Sequence, residues 1–276
     1  MEFKYFSRNG NILPVGEASV PLSNIEYQYG FGVYETIRIA NGMTFFLDEH
    51  LERLMESARI IGLEHPFAPG AIAQNIHELV EKNSAQTCNV KILLIGARTK
   101  EEAMLIILCL NPLFPDKKLY RDGVACSTYK FERPFPHAKT LNMLQSYLAY
   151  RGAREVGAYD ALLLDPEGHI TEGTRSNFFC IKDRTIFSPP EDRTLLGVTR
   201  KAVLQVATQN GFKFEERTIA VDDLGNYDGA FLTSTSSKIM PVRSVDDHMF
   251  PGPSKPLQEL IAAFDHFLET YRGVAI

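Results

Sequence analysis

The sequence predicts an α+β fold in two domains, and three observations carry that prediction. Strand-like apolar runs alternate with amphipathic helical ones, and short turns between strands favour antiparallel pairing. A stretch with two prolines and a charged end, Asn111-Pro112-Leu113-Phe114-Pro115-Asp116-Lys117-Lys118, interrupts the pattern and reads as a linker. With 276 residues, 45% of them hydrophobic, the chain can bury two ordinary cores. The domains are therefore placed at 1–115 and 116–276.

The first half opens its pattern with a strand over 32–40, rich in β-branched and aromatic residues. Asn41-Gly42 turns it into a second strand over 43–47, a hairpin signature. Asp48 is the expected N-cap of a helix in which Leu51, Leu54, Met55, Ala58 and Ile61 recur at helical spacing, stopped by Gly62. A second helix follows Pro69 to about residue 82, then strands over 90–95 and 104–110. The second half begins with a strand over 123–131 and the loop Arg133-Pro134-Phe135-Pro136-His137. A helix over 142–156 follows, then a strand over 161–164 and a turn at Asp165-Pro166-Glu167-Gly168. Strands over 177–181 and 185–187 precede a helix over 198–209. The chain finishes as strand, Thr/Ser-rich loop, strand and a helix over 257–271. There is no internal repeat.

Composition excludes several classes. The net charge of −5, with no basic run longer than Lys117-Lys118, gives no nucleic-acid footprint. Apolar runs such as 92–95 are far too short to span a bilayer. Met1-Glu2-Phe3-Lys4-Tyr5 places charges where a secretory signal is apolar, so a cytoplasmic protein is expected. Cys88, Cys109, Cys126 and Cys180 form no paired motif and read as reduced, structural thiols. The seven histidines show no paired spacing with each other or with cysteine, so no metal is expected.

Four local features carry possible chemistry, and each has a plain alternative. Lys139, in H-A-K-T-L-N, reads alone as a solvated loop lysine. Glu172, in T-E-G-T-R-S-N, reads alone as a turn carboxylate. Leu196-Gly197-Val198-Thr199-Arg200 opens a helix whose free N–H groups suit an anion, or water. Leu232-Thr233-Ser234-Thr235-Ser236-Ser237 is a hydroxyl-rich turn that serves either as a phosphate nest or as a cap.

Together and in this order, the motifs resemble the class IV, or fold type IV, pyridoxal-phosphate enzymes. That family holds branched-chain aminotransferases, D-amino-acid transaminases and 4-amino-4-deoxychorismate lyases. The resemblance rests on F-G-V-Y-E-T-I-R, L-D-E-H-L-E-R-L-M-E-S-A, K-T-L-N, E-G-T-R-S-N-F-F, L-G-V-T-R and T-S-T-S-S, over about residues 30–245. It implies a D-amino-acid-aminotransferase-like fold, with a smaller N-terminal α/β domain and a larger, mixed, barrel-like C-terminal domain that binds the cofactor. It also implies pyridoxal 5′-phosphate as cofactor, an amino acid and a 2-oxo acid as substrates, and a homodimer.

Residue by residue, Lys139 matches the Schiff-base lysine, whose amine also moves the substrate's α-proton. Glu172 matches the acid facing the pyridine nitrogen, which keeps that nitrogen protonated and the ring an electron acceptor. Arg53 matches the phosphate-binding arginine, although its spacing alone also fits the solvated face of a helix. Val198 and Thr199, with Thr235 and Ser236, match further phosphate donors. Tyr34, Thr36 and Arg38 share one strand face and match substrate-lining positions; packing or a structural ion pair explains them equally well.

Some positions depart from the patterns of the individual branches. Branched-chain enzymes carry G-G-N-Y after the lysine and G-x-G-E-N after the glutamate. Here Leu144 stands at the tyrosine position, and Ser176-Asn177 replaces the Glu-Asn pair. D-amino-acid transaminases carry an arginine in T-R-G to grip the substrate carboxylate. Gly96 aligns there, with Arg98 two residues along. Tyr34 resembles the D-amino-acid enzymes, Val33-Tyr34-Glu35-Thr36 the lyases, and K-T-L-N both. An aminotransferase is the leading expectation, the pyruvate-eliminating lyase of 4-aminobenzoate and folate synthesis the second, and a non-catalytic binding protein the third.

Overall fold

Six strands within the first 110 residues and a short one near the C-terminus build a seven-stranded sheet in the computed structural model, which describes residues 2–112 and 115–275. Leu113 and Phe114, at the centre of the expected linker, lie outside the described residues. Two compact units result, one of Met1–Leu113, His137–Met143 and Arg272–Ile276, the other of Phe114–Pro136 and Leu144–Tyr271.

In the first unit, β1 (Tyr5–Arg8) and β2 (Asn11–Pro14) form a hairpin, and a short helix α1 (Ile25–Gln28) follows. Then come β3 (Gly32–Ala40), β4 (Met43–Thr44), α2 (Leu47–Ile60), α3 (Pro69–Lys82), β5 (Cys88–Ile95) and β6 (Met104–Leu110). The strand order is β4-β3-β5-β6-β1-β2, antiparallel throughout, with the two-residue strand Val274–Ala275 on β4. Alternation along β3 sends Val33, Ile37 and Ile39 into a core with Leu51, Leu54 and Ala58 of α2 and Ile72, Ile76 and Leu79 of α3. Each of the larger side chains buried this way contributes about 1.5–3 kcal/mol. The opposite phase holds Tyr34, Thr36 and Arg38. Helix α2 starts one residue before the expected Asp48 cap, after Phe46 in the left-handed region (φ 57). Asp48 instead lies in the first turn, where its carboxylate still meets the helix dipole.

The second unit opens with α4 (Lys117–Asp122), started by the Asp116 carboxylate accepting from Lys118 N–H at 2.8 Å, so part of the expected linker is helical. There follow β7 (Val124–Lys130), α5 (Leu144–Glu155), β8 (Asp160–Leu164), β9 (His169–Gly173), β10 (Asn177–Lys182), β11 (Thr185–Ser188) and α6 (Val198–Gln209). β12 (Lys213–Glu216), β13 (Ile219–Ala220), β14 (Gly229–Ser234), β15 (Lys238–Val245), β16 (His248–Met249) and α7 (Lys255–Thr270) complete it. The ten-stranded, barrel-like sheet runs β12-β11-β10-β14-β15-β7-β8-β9-β13, with β16 on β15. It is mixed: β11/β12, β15/β7 and β7/β8 are parallel. The β7/β8 crossover needs a covering helix, and α5 supplies it by packing Ala149 and Ala153 onto Ala161 and Leu163. Among the described residues, no helix is long and apolar enough to cross a membrane.

Candidate active site

In the first unit, Lys139 is held as an extra rung on β3. Its carbonyl accepts Tyr34 N–H at 2.9 Å, Thr140 bridges to Val33, and Leu141 N–H donates to Gly32 O at 2.8 Å. Lys139 N–H donates to Oγ of the buried Ser57 on α2 at 3.0 Å. Gly32 is required here: a Cβ would lie 2.6 Å from Leu141 Cδ1 and 2.8 Å from Leu94 O. The lysine is thus half-buried with its backbone fixed on both sides, not a solvated loop residue.

The Lys139 ammonium lies 4.6 Å from the centre of the Tyr34 ring, and Lys91 Nζ lies 3.5 Å from the same centre. Lys91 stands on β5 opposite Thr36, so it projects from the outward face that carries Tyr34, Thr36 and Arg38. Tyr34 Oη donates to Met143 Sδ at 3.7 Å, and the Arg38 guanidinium lies 5.7 Å from the Phe45 ring centre. This face is cationic, which suits carboxylate-bearing ligands.

Arg53 comes to β3 from α2, and it meets the core phase of the strand. Its Nε donates to Glu35 Oε1 at 2.6 Å and its Nη2 to Glu35 Oε2 at 2.9 Å. Glu35 is completely buried, and its Oε2 also accepts from His50 Nδ1 at 2.8 Å and Thr36 N–H at 3.1 Å. Burial pushes the Glu35 carboxyl up, but the charges of Arg53 and His50 and their hydrogen bonds win and hold it well below the usual range. Burial lowers His50 against the pull of Glu35, and its Nδ1, 2.8 Å from the carboxylate oxygen, is the donor.

Gly96, aligned with the carboxylate-gripping arginine, has no room for a side chain. A Cβ there would lie 2.3 Å from the Phe31 ring. Arg98 is 76% exposed and pairs with Glu26 at 3.5 Å.

In the second unit, Glu172 is buried on β9 rather than placed in a turn. Its Oε2 accepts Leu195 N–H at 3.2 Å and the Thr194 hydroxyl at 3.5 Å, and Arg133 Nε lies 3.1 Å from Oε1. Thr194 and Leu195 lead into α6, and Asn177 pins them: its Nδ2 donates to Leu195 O at 2.6 Å and to Thr194 Oγ1 at 3.1 Å. A Cβ on Gly197 would collide with Asn177 Oδ1. Helix α6 therefore begins without a side-chain cap, leaving the first-turn amides around Val198 and Thr199 unclaimed by any cap. Asn177 also pairs with Thr233, so the hydroxyl-rich turn starts beside the strand that holds this lead-in. Thr235 is half-buried and Ser236 exposed at its tip, while Ser234 and Ser237 bond each other at 2.7 Å.

The loop after Glu172 is clamped by a residue the sequence did not flag. Asp160 accepts the Thr174 hydroxyl at 2.5 Å, the Ser176 hydroxyl at 2.9 Å and Ala161 N–H at 2.9 Å. Burial pushes its carboxyl up, only partly offset by those bonds. Asp165, Glu167 and His169 are, among the described residues, the one group with metal-ligand spacing. Arg193 already lies 2.8 Å from Asp165 there.

Comparison with known proteins agrees with this architecture. The family model of amino-transferase class IV matches residues 32–245. The chain is 32% identical to a D-alanine aminotransferase of Bacillus licheniformis, over 89% of this chain and 91% of that protein. Its structure resembles that of a T.th. branched-chain amino acid aminotransferase with pyridoxamine 5′-phosphate, with a TM-score of 0.88 and 26% identity over 98% and 94% of the two chains. It also resembles a Legionella pneumophila protein assigned as a 4-amino-4-deoxychorismate lyase, with a TM-score of 0.81 and 25% identity over 90% and 95%. With a family match over most of its length and relatives of two branches aligned almost end to end, the chain belongs to the amino-transferase class IV enzymes.

Proposed function

We propose that this enzyme moves an amino group from an amino acid to a 2-oxo acid, with pyridoxal 5′-phosphate held covalently through Lys139 Nζ. The observation that carries the reading is the fixed, half-buried Lys139 beside Tyr34, on a strand face that also bears Lys91 and Arg38. The residues present fit the cofactor. An aldehyde needs an amine, a pyridine nitrogen needs a carboxylate, and a phosphate needs several donors. Lys139, buried Glu172 and the uncapped start of α6 supply them.

When bound, the cofactor supplies an electron-accepting ring. Glu172, kept as an acceptor by Arg133 and Leu195 N–H, holds the proton on the ring nitrogen. Lys139 Nζ takes and returns the proton at the substrate's α-carbon. The amides of Val198 and Thr199, the Thr199 hydroxyl, Thr235, Ser236 and Arg53 hold the phosphate. Tyr34, Thr36 and Arg38 line the substrate, with Lys91 as a further cation for carboxylates. A cytoplasmic homodimer is the proposed form, and four free, buried thiols fit a reducing setting.

The lyase is the second reading, favoured by Thr36 on the substrate face and by the Legionella likeness. Side-by-side product assays with amino acids, pyruvate, 2-oxoglutarate and aminodeoxychorismate separate the two. Amino transfer that requires a 2-oxo acid and survives Thr36→Val is expected, because that change deletes only a hydroxyl. Acceptor-independent pyruvate release from aminodeoxychorismate, abolished in Thr36→Val, would show that the enzyme is a lyase.

A further inference from the structure

We infer that Glu35 is the positioning residue that aims Arg53 at the cofactor phosphate, an inference that rests on the proposed phosphate role of Arg53. A glutamate in the core phase of β3, with no exposure at all, is there for a reason that packing does not supply. Its two oxygens accept four donors: Arg53 twice, His50 Nδ1 and Thr36 N–H. That fills the capacity of a carboxylate.

Two of these contacts make a planar, bidentate fork on the Nε–Nη2 edge of Arg53, which fixes the plane of its guanidinium. His50 and Thr36 hold the carboxylate in turn, from α2 and from the strand itself. Arg53 keeps 12% exposure, whereas Glu35 and His50 keep essentially none, so Arg53 is the member of the cluster that a ligand can meet. An arginine held this way does not have to surrender side-chain freedom when the phosphate arrives. Because Glu35 also cancels the charge of Arg53, aim rather than net charge is what the cluster supplies.

The test compares affinities for pyridoxal 5′-phosphate and for pyridoxal, which lacks the phosphate, by titrating apo-protein and following intrinsic fluorescence. Glu35→Gln should weaken pyridoxal-phosphate binding about tenfold or more and leave pyridoxal binding nearly unchanged. Glu35→Asp keeps the charge but draws it back by one methylene; it should show a smaller loss of the same kind, and it carries the test if the glutamine variant does not fold. Arg53→Lys runs in parallel. If Arg53→Lys leaves the preference for the phosphorylated form intact, the phosphate role of Arg53 fails and the inference with it. If Arg53→Lys erodes the preference but folded Glu35 variants bind as wild type or more tightly, only the positioning role is overturned.

Discussion

Each unit of the protein buries a carboxylate close to candidate functional residues of its own, and the two solve the problem in opposite ways. Glu35 in the first unit is answered by a cation, and its carboxyl is held low. Asp160 in the second is hydrogen-bonded by hydroxyls and an amide, with only the weaker pull of the Arg175 charge beside them, and its carboxyl is pushed up. Burial penalises the charged form in both places, so the neighbours decide. The difference separates two tasks. Glu35 joins β3 to α2 through formal charge, while Asp160 holds the shape of the loop between Glu172 and Asn177 through hydrogen bonds to Thr174 and Ser176.

The largest expected effect is on stability. Arg53→Ala strands the Glu35 carboxylate without a counter-charge and should cost about 3–5 kcal/mol in urea unfolding of the apo-protein. Asp160→Asn keeps an acceptor oxygen for Thr174 and should cost only about 1 kcal/mol. Similar losses for the two variants would erase the contrast.

A smaller effect sharpens the comparison through pH. Glu35 and His50 are lowered from 4.5 and 6.5, so the folded state binds fewer protons than the unfolded chain below those values. Their contribution to stability is present above them and is lost as pH falls. Asp160 is raised from 3.8, so its contribution has the opposite sign: it is present at low pH and lost as pH rises through the folded value. Wild type should therefore lose stability from about pH 6.5 downward. Glu35→Gln should flatten the part below pH 4.5, and Asp160→Asn should steepen the acid limb slightly. A glutamine variant with the wild-type slope would remove Glu35 from the account.

Helices α3 and α6 were legible to their ends, because proline and glycine mark their starts and apolar spacing marks their faces. The β1–β2 hairpin escaped notice although Asn9-Gly10 carries the same positive-φ turn as Asn41-Gly42. Lys139 and Glu172 stand out as candidates only through the order of motifs. Locally one resembles a surface lysine and the other a turn acid, and their burial comes from ladders formed with distant strands. Glu35 carries a readable signal in the sequence: it is a charge in phase with Val33, Ile37 and Ile39, ahead of His50, Arg53 and Ser57 at helical spacing. Arg133 and Asp160 had none, since their partners are set by how the loops close.

The central claim is that Lys139, and not the neighbouring Lys91, carries the cofactor. Borohydride reduction of the protein loaded with pyridoxal 5′-phosphate, followed by peptide mapping, tests it directly. A single pyridoxyl group on Lys139, and none in Lys139→Ala, is expected. A label on Lys91 or any other lysine of the wild-type protein, or no label at all, would contradict it.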